Sequence, residues 1–125
     1  MNIKWFSKEP QSIATIYETN ITLNTVASNH FKNMYATLIG YDKENDAVVI
    51  KAITKEEVTI GLYKDDELVP ISIKPSYGRI NSKNIINNIN KYHPLDFTKK
   101  NYYKFLCEWN QEKRILRILM QKEVS

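Results

Sequence analysis

Two stretches of this chain each join two β-rich runs across a short polar connection. The first is MYATLIGY-DKEND-AVVIKAI at 34–53 and the second is YYKFLCEW-NQEK-RILRILM at 102–120. β-branched and aromatic runs on either side of a four- or five-residue polar loop predict a β-hairpin. Each hairpin is preceded by the same kind of lead-in. In the first, SIATIY at 12–17 and ITL at 21–23 flank the polar break Glu18-Thr19-Asn20. Asn24 and Thr25 are N-cap types, and Val26, Ala27, His30 and Phe31 make one face of a short helix ending near Asn33. In the second, ISI at 71–73 leads into a turn, Lys74-Pro75-Ser76-Tyr77-Gly78, whose proline presets φ and whose glycine tolerates φ > 0. A short strand begins at Arg79-Ile80, and Ser82 caps a helix over 83–92. Ile85, Ile86 and Ile89 give that helix an apolar face, and His93-Pro94 stops it. LDFTKKN is then a polar connection to the second hairpin.

The order of elements is therefore duplicated. Ile21 corresponds to Ile80, Ala27 and Phe31 to Ile85 and Ile89, and Tyr41 to Trp109. The copies run from 12 to 53 and from 70 to 120, with a charged linker at 54–69, TKEEVTIGLYKDDELV, too poor in apolar residues for another packed element. A unit of roughly 40 to 50 residues buries too little surface to stand alone. The two copies are expected to pack on each other as one compact domain over 1–125. The alternative is one mixed domain of six to eight strands without repeat ancestry.

A single cysteine, Cys107, excludes an internal disulfide and a cysteine-built zinc site, and fits a reducing, cytoplasmic setting. Its place inside YYKFLCEW predicts a buried structural thiol. MNIKWFSKEP lacks the apolar core and small-residue cleavage site of a signal peptide, and no run is long enough to span a bilayer. His30 and His93 have no neighbours at metal-ligand spacing. Gly40, Gly61 and Gly78 are too scattered for a phosphate-cradling loop, and Glu56-Glu57 and Asp65-Asp66-Glu67 read as solvated linker charges. No catalytic constellation, cofactor or small-molecule substrate is implied, so a non-enzymatic protein is expected.

The net charge of +4 is uneven: residues 1–62 carry six Lys against seven acids, and residues 63–125 carry twelve Lys+Arg against seven. Much of the excess is lysine, which AT-rich coding inflates, but all three arginines (Arg79, Arg114, Arg117) lie in the second half.

YGRINSKNIINNI at 77–89 with YYKFLCEWNQEKRILRILM at 102–120 resembles the swapped-hairpin DNA-binding domain of the AbrB and MraZ transcription factors. NITLNTVASNHF at 20–31 with IGYDKENDAVVIKAI at 39–53 is similar. Two copies in one chain resemble the MraZ layout. The resemblance implies a mostly β (α+β) fold with two short helices, in which two swapped-hairpin-like β-α-β-β repeats pack as an intrachain pseudo-dimer. It also implies a DNA-facing surface built from the arginine after the glycine, here Arg79, and from basic residues early in the helix. Those helix positions fall on Ile86 and Asn87, with Lys83 one turn earlier. In the first copy the arginine position is Asn20, and the helix positions are Ser28 and Asn29, none of them charged.

Lys74, Arg79 and Lys83 form a basic group suited to phosphate, and Arg79 has the fork to read guanine. Among the clustered asparagines, Asn81 and Asn87 have adenine-reading chemistry, although AT-rich coding on a solvent face also explains the cluster. Lys91, Lys99, Lys100 and Lys104 lie among Tyr92, Phe97, Tyr102 and Tyr103. That mixture stacks on single strands in some proteins and supplies half of a core in more. The leading expectation is a bacterial or phage transcription regulator that binds double-stranded DNA as a homo-oligomer, with DNA contacts at Arg79, Lys83, Lys74, Asn81 and Asn87. The alternative is a protein-interaction or structural module, antitoxin-like proteins included, that kept the scaffold and lost the DNA face.

Overall fold

The computed structural model describes residues 2–5 and 10–124. Residues 1 and 6–9 of the N-terminal decapeptide read above lie outside the described residues. The protein is mostly β, with 43% of the described residues in strands and 19% in helices. In chain order the elements are β1 (Ile13–Tyr17), β2 (Asn20–Asn24), α1 (Thr25–Asn29), β3 (Ala36–Asp42), β4 (Ala47–Ile53) and α2 (Lys55–Thr59). A 3-10 turn at Asp65–Glu67 follows, then β5 (Ser72–Ile73), β6 (Tyr77–Asn81), α3 (Lys83–Tyr92), β7 (Tyr102–Asn110) and β8 (Ile115–Val124). The strands form one antiparallel sheet in the order β3-β4-β8-β7-β1-β2-β6-β5.

The sheet curls because its inward residues are apolar at every second position. Ala14 and Ile16, Ile21 and Leu23, Val48 and Ile50, Leu116 and Ile118, together with Ile80 and Phe105, are all essentially solvent-free. Burying them on one side of an eight-stranded sheet requires the sheet to wrap onto itself. The wrap brings β3 to the chain just ahead of β5. The Thr37 N–H donates to the Val69 carbonyl at 2.9 Å and the Val69 N–H returns to the Thr37 carbonyl at 2.8 Å. The sixteen-residue stretch expected as a plain linker thus supplies a sheet contact at Val69, as well as α2 and the 3-10 turn. Thr54 and Glu57 form a reciprocal capping box on α2, so the described residues hold three short α-helices where two were expected.

α1 and α3 begin where their capping residues predict. The Asn24 side chain accepts from the Ala27 N–H at 3.0 Å, and Ser82 accepts from the Ile85 N–H at 3.2 Å. α3 spans 83–92 as expected, with Ile86 and Ile89 buried. α1 is shorter than expected. It ends at Asn29, and the chain turns through Asn33 at φ 64°.

Gly78 corrects another expectation. It is not a turn glycine with positive φ but an inward-facing residue of β6. A Cβ there would lie 3.0 Å from the Ser28 Cβ and 3.1 Å from the Ile73 Cδ1. The missing side chain makes the seat on which α1 rests. The turn itself is tighter, closed by the Lys74 N–H donating to the Tyr77 carbonyl at 2.8 Å.

Candidate nucleic-acid interface

Direct cross-strand neighbours point to the same side of a sheet. The residues alternating with the core therefore form the convex outer surface. The register places one continuous row there. Ser72 on β5 is opposite Arg79 on β6, Arg79 opposite Thr22 on β2, Thr22 opposite Thr15 on β1, and Thr15 opposite Lys104 on β7. Next to this row Asn81 is opposite Asn20. No residue of the row is acidic. Within β1, β2, β5, β6 and their two connecting turns the one acid is Glu18, in the β1–β2 turn.

The three arginines have different surroundings. Arg117 Nη1 lies 2.6 Å from Asp42 Oδ2, and Arg114 Nη2 lies 2.7 Å from Glu57 Oε1. The side-chain hydrogen bond from Asn45, then the one from Arg117, holds the Asp42 carboxyl below its usual range. Burial raises the Glu57 carboxyl, but hydrogen bonds from Thr54 and the charge of Arg114 outweigh it and hold Glu57 low as well. Both arginines are thus committed to carboxylates in the fold. Arg79 is exposed, and among the described residues it has no carboxylate partner. Its guanidinium lies over the Tyr77 ring, 5.2 Å from the centroid. An exposed guanidinium without an acid keeps its full charge and its fork for an incoming anion.

The residues named from sequence are only partly brought together. Arg79 and Asn81 share the outer side of β6, and Lys83 follows at the start of α3, with Asn87 exposed one turn further on the same side of the helix. Lys74 sits in the β5–β6 turn, at the other end of β6 from Lys83. Arg79 itself is mid-strand and paired on both sides, not the first residue of the strand as the sequence places it. Thr15, Thr22 and Ser72 were missed. The polar positions alternating with apolar ones in SIATIY and NITLN are the signal for the two threonines. Lys104, expected among stacking aromatics, lies over the Tyr102 ring at 5.5 Å, and Tyr102 packs near Tyr17 at 5.9 Å.

No family model, curated protein or solved structure matches the chain. The chemistry of the surface therefore carries the functional reading.

Elsewhere, Cys107 is half-buried, and desolvation pushes its thiol up to about 12, so it stays protonated and a poor nucleophile. The His93 Nδ1 lies 3.2 Å from Asp46 Oδ2, and Asp46 is also bonded by the Tyr41 hydroxyl and the Gln121 amide. This group ties the first hairpin to the end of α3 and to β8. Among the described residues no three His, Cys, Asp or Glu side chains are grouped to hold a metal, and no helix is long and apolar enough to cross a membrane.

Proposed function

We propose that this protein is a DNA-binding regulator of the swapped-hairpin kind, with two repeats packed as an intrachain pseudo-dimer and Arg79 at the centre of its DNA face. The single observation that carries the DNA reading is Arg79: exposed, without a carboxylate partner among the described residues, in a row free of acids, while the other two arginines are spent on ion pairs.

The repeat reading is supported by register. If each residue is exchanged for its counterpart, the pair Asn20–Asn81 becomes Arg79–Thr22, itself a pair on β2–β6. The pair Asp42–Ala47 at the first hairpin loop becomes Asn110–Ile115 at the second, and Ala47–Leu119 becomes Ile115–Lys51. The Ala52 N–H donates to the Arg114 carbonyl at 2.9 Å, and its counterpart, the Met120 N–H, donates to the Asp46 carbonyl at 3.1 Å. Asp46 and Arg114 both have positive φ, 48° and 54°. The aromatic before each hairpin loop stacks on a ring at the end of the other copy's short helix: Trp109 on His30 at 4.4 Å, and Tyr41 on Tyr92 at 4.7 Å. Residue identity between the copies is low, so these coincidences belong to the backbone plan.

The pseudo-twofold puts Asn20 where the second copy has Arg79. Binding is therefore one-sided, with the second copy supplying the strong contact and Lys83 adding charge at the start of α3. The alternative, a scaffold that has lost its DNA face, rests on the same Asn20 and on the uncharged Ser28 and Asn29.

Binding to a short mixed-sequence duplex, followed by fluorescence anisotropy between about 50 and 200 mM salt, separates the two. Affinity is expected to fall steeply with salt. Arg79→Ala is expected to weaken binding by about tenfold at low salt and to flatten the log–log salt slope by about one unit. No binding at about 50 mM salt, where sequence-independent contacts are strong, overturns the DNA reading.

A further inference from the structure

We infer that the same outer row holds a DNA duplex at two places, with Arg79 and Lys104 taking phosphates on the two sides of one groove. This rests on the DNA reading above and names a second contact from the other end of the row.

The geometry comes from the sheet itself. From β6 to β7 the row crosses β2 and β1, which is three inter-strand steps of about 4.8 Å, or roughly 14 Å between the Arg79 and Lys104 backbones. That is of the order of the about 12 Å width of the B-DNA major groove, which admits β-structure. The surface is convex, because the opposite face is wrapped around the core. Its crown carries Thr15 and Thr22, small side chains with hydroxyls that donate and accept. Its flanks carry the two cations. A convex strip with a neutral crown and charged flanks matches a groove lined by two phosphate backbones.

Lys104 is placed for this role in the same way as Arg79. It is half-exposed, it has no carboxylate partner among the described residues, and its ammonium lies over an aromatic ring on the outer surface, Tyr102, as Arg79 lies over Tyr77. Its neighbour Lys100 differs, because it is already 3.1 Å from Glu123. Lys100 is therefore a control that changes the same net charge without touching the row.

The test compares Lys104→Gln, Arg79→Ala, their combination and Lys100→Gln on a mixed-sequence duplex across a salt series. Each of the first two is expected to flatten the slope by about one unit and the pair by about two. Lys100→Gln is expected to leave the slope within half of that change. All three substitutions are at solvent-facing side chains, and unchanged thermal midpoints would establish that the four variants fold. If Arg79→Ala flattens the slope and Lys104→Gln does not, the two-sided contact is wrong and the DNA reading stands. If the unaltered protein binds no duplex, both fall. A single-stranded oligonucleotide that binds more tightly than the duplex, and loses affinity on Tyr102→Ala, also overturns the groove geometry, since stacking on an unpaired base would then explain the aromatic surroundings.

Discussion

Phe105→Ala is expected to cost about 3–5 kcal/mol of folding stability. Phe105 is fully buried at the middle of β7, opposite Ala14 on β1. Small Ala14 leaves the space that the phenyl ring fills, and a methyl on both facing residues leaves a hole. The ring also meets His93 edge-on, with centroids 6.1 Å apart, so the loss reaches the end of α3. The β1–β7 pairing joins the β1–β2 strand pair to the β7–β8 hairpin, and weakening it loosens the whole sheet. Chemical denaturation measures the effect: the midpoint is expected to fall with little change in slope. A cost below about 1 kcal/mol would mean that β7 does not pack against β1 as described.

Gly78→Ala and Gly40→Ala are expected to have opposite signs. Both glycines are in strands, and neither has positive φ. At Gly40 on β3 an added Cβ meets nothing within 4 Å. Restricting the unfolded chain is then the main effect, and stability is expected to rise by about 0.4–1 kcal/mol, less any loss of solvation at the exposed strand. At Gly78 the new Cβ meets the Ser28 Cβ at 3.0 Å and the Ile73 Cδ1 at 3.1 Å. Ile73 can rotate away, but Ser28 is itself buried in α1, and its Oγ donates to the Thr25 carbonyl at 3.2 Å. α1 must lift or β6 must shift, at a cost of about 1–3 kcal/mol. Gly78→Val adds two more methyl groups in the same place and is expected to cost more. Thermal midpoints of the three variants check the signs. A stabilising Gly78→Ala would show that α1 is not seated on this residue.

The sequence makes the hairpins and α3 legible because their signals are local. Period-two runs flank short polar loops, and Ser82 and Pro94 bracket the helix. The role of Gly78 was not local. Nothing in KPSYGR distinguishes a glycine that turns from one that lets a helix approach from 50 residues away in the chain. The contact at Val69 was hidden for the same reason, since a charged stretch with few apolar residues gives no sign that one of its backbone groups will close a ladder with Thr37. Arg79 was legible as a residue, through the glycine before it and the helix cap after it. Its freedom from acids was not, because Asp42 and Glu57, which occupy the other two arginines, are far from them in sequence. The outer row is a fact of register across five strands, and Lys104 joins it only when β7 pairs with β1.

The most direct measurement of where DNA binds is an NMR titration of the isotopically labelled protein with a short duplex at low salt. If the outer row is the interface, the largest backbone shifts fall on Thr15, Thr22, Arg79, Asn81, Lys83 and Lys104, and they vanish as salt is raised. Shifts that gather instead on α2 or in the groove between α3 and β3, around Ile39, Tyr41 and Tyr92, would contradict the assignment of this face.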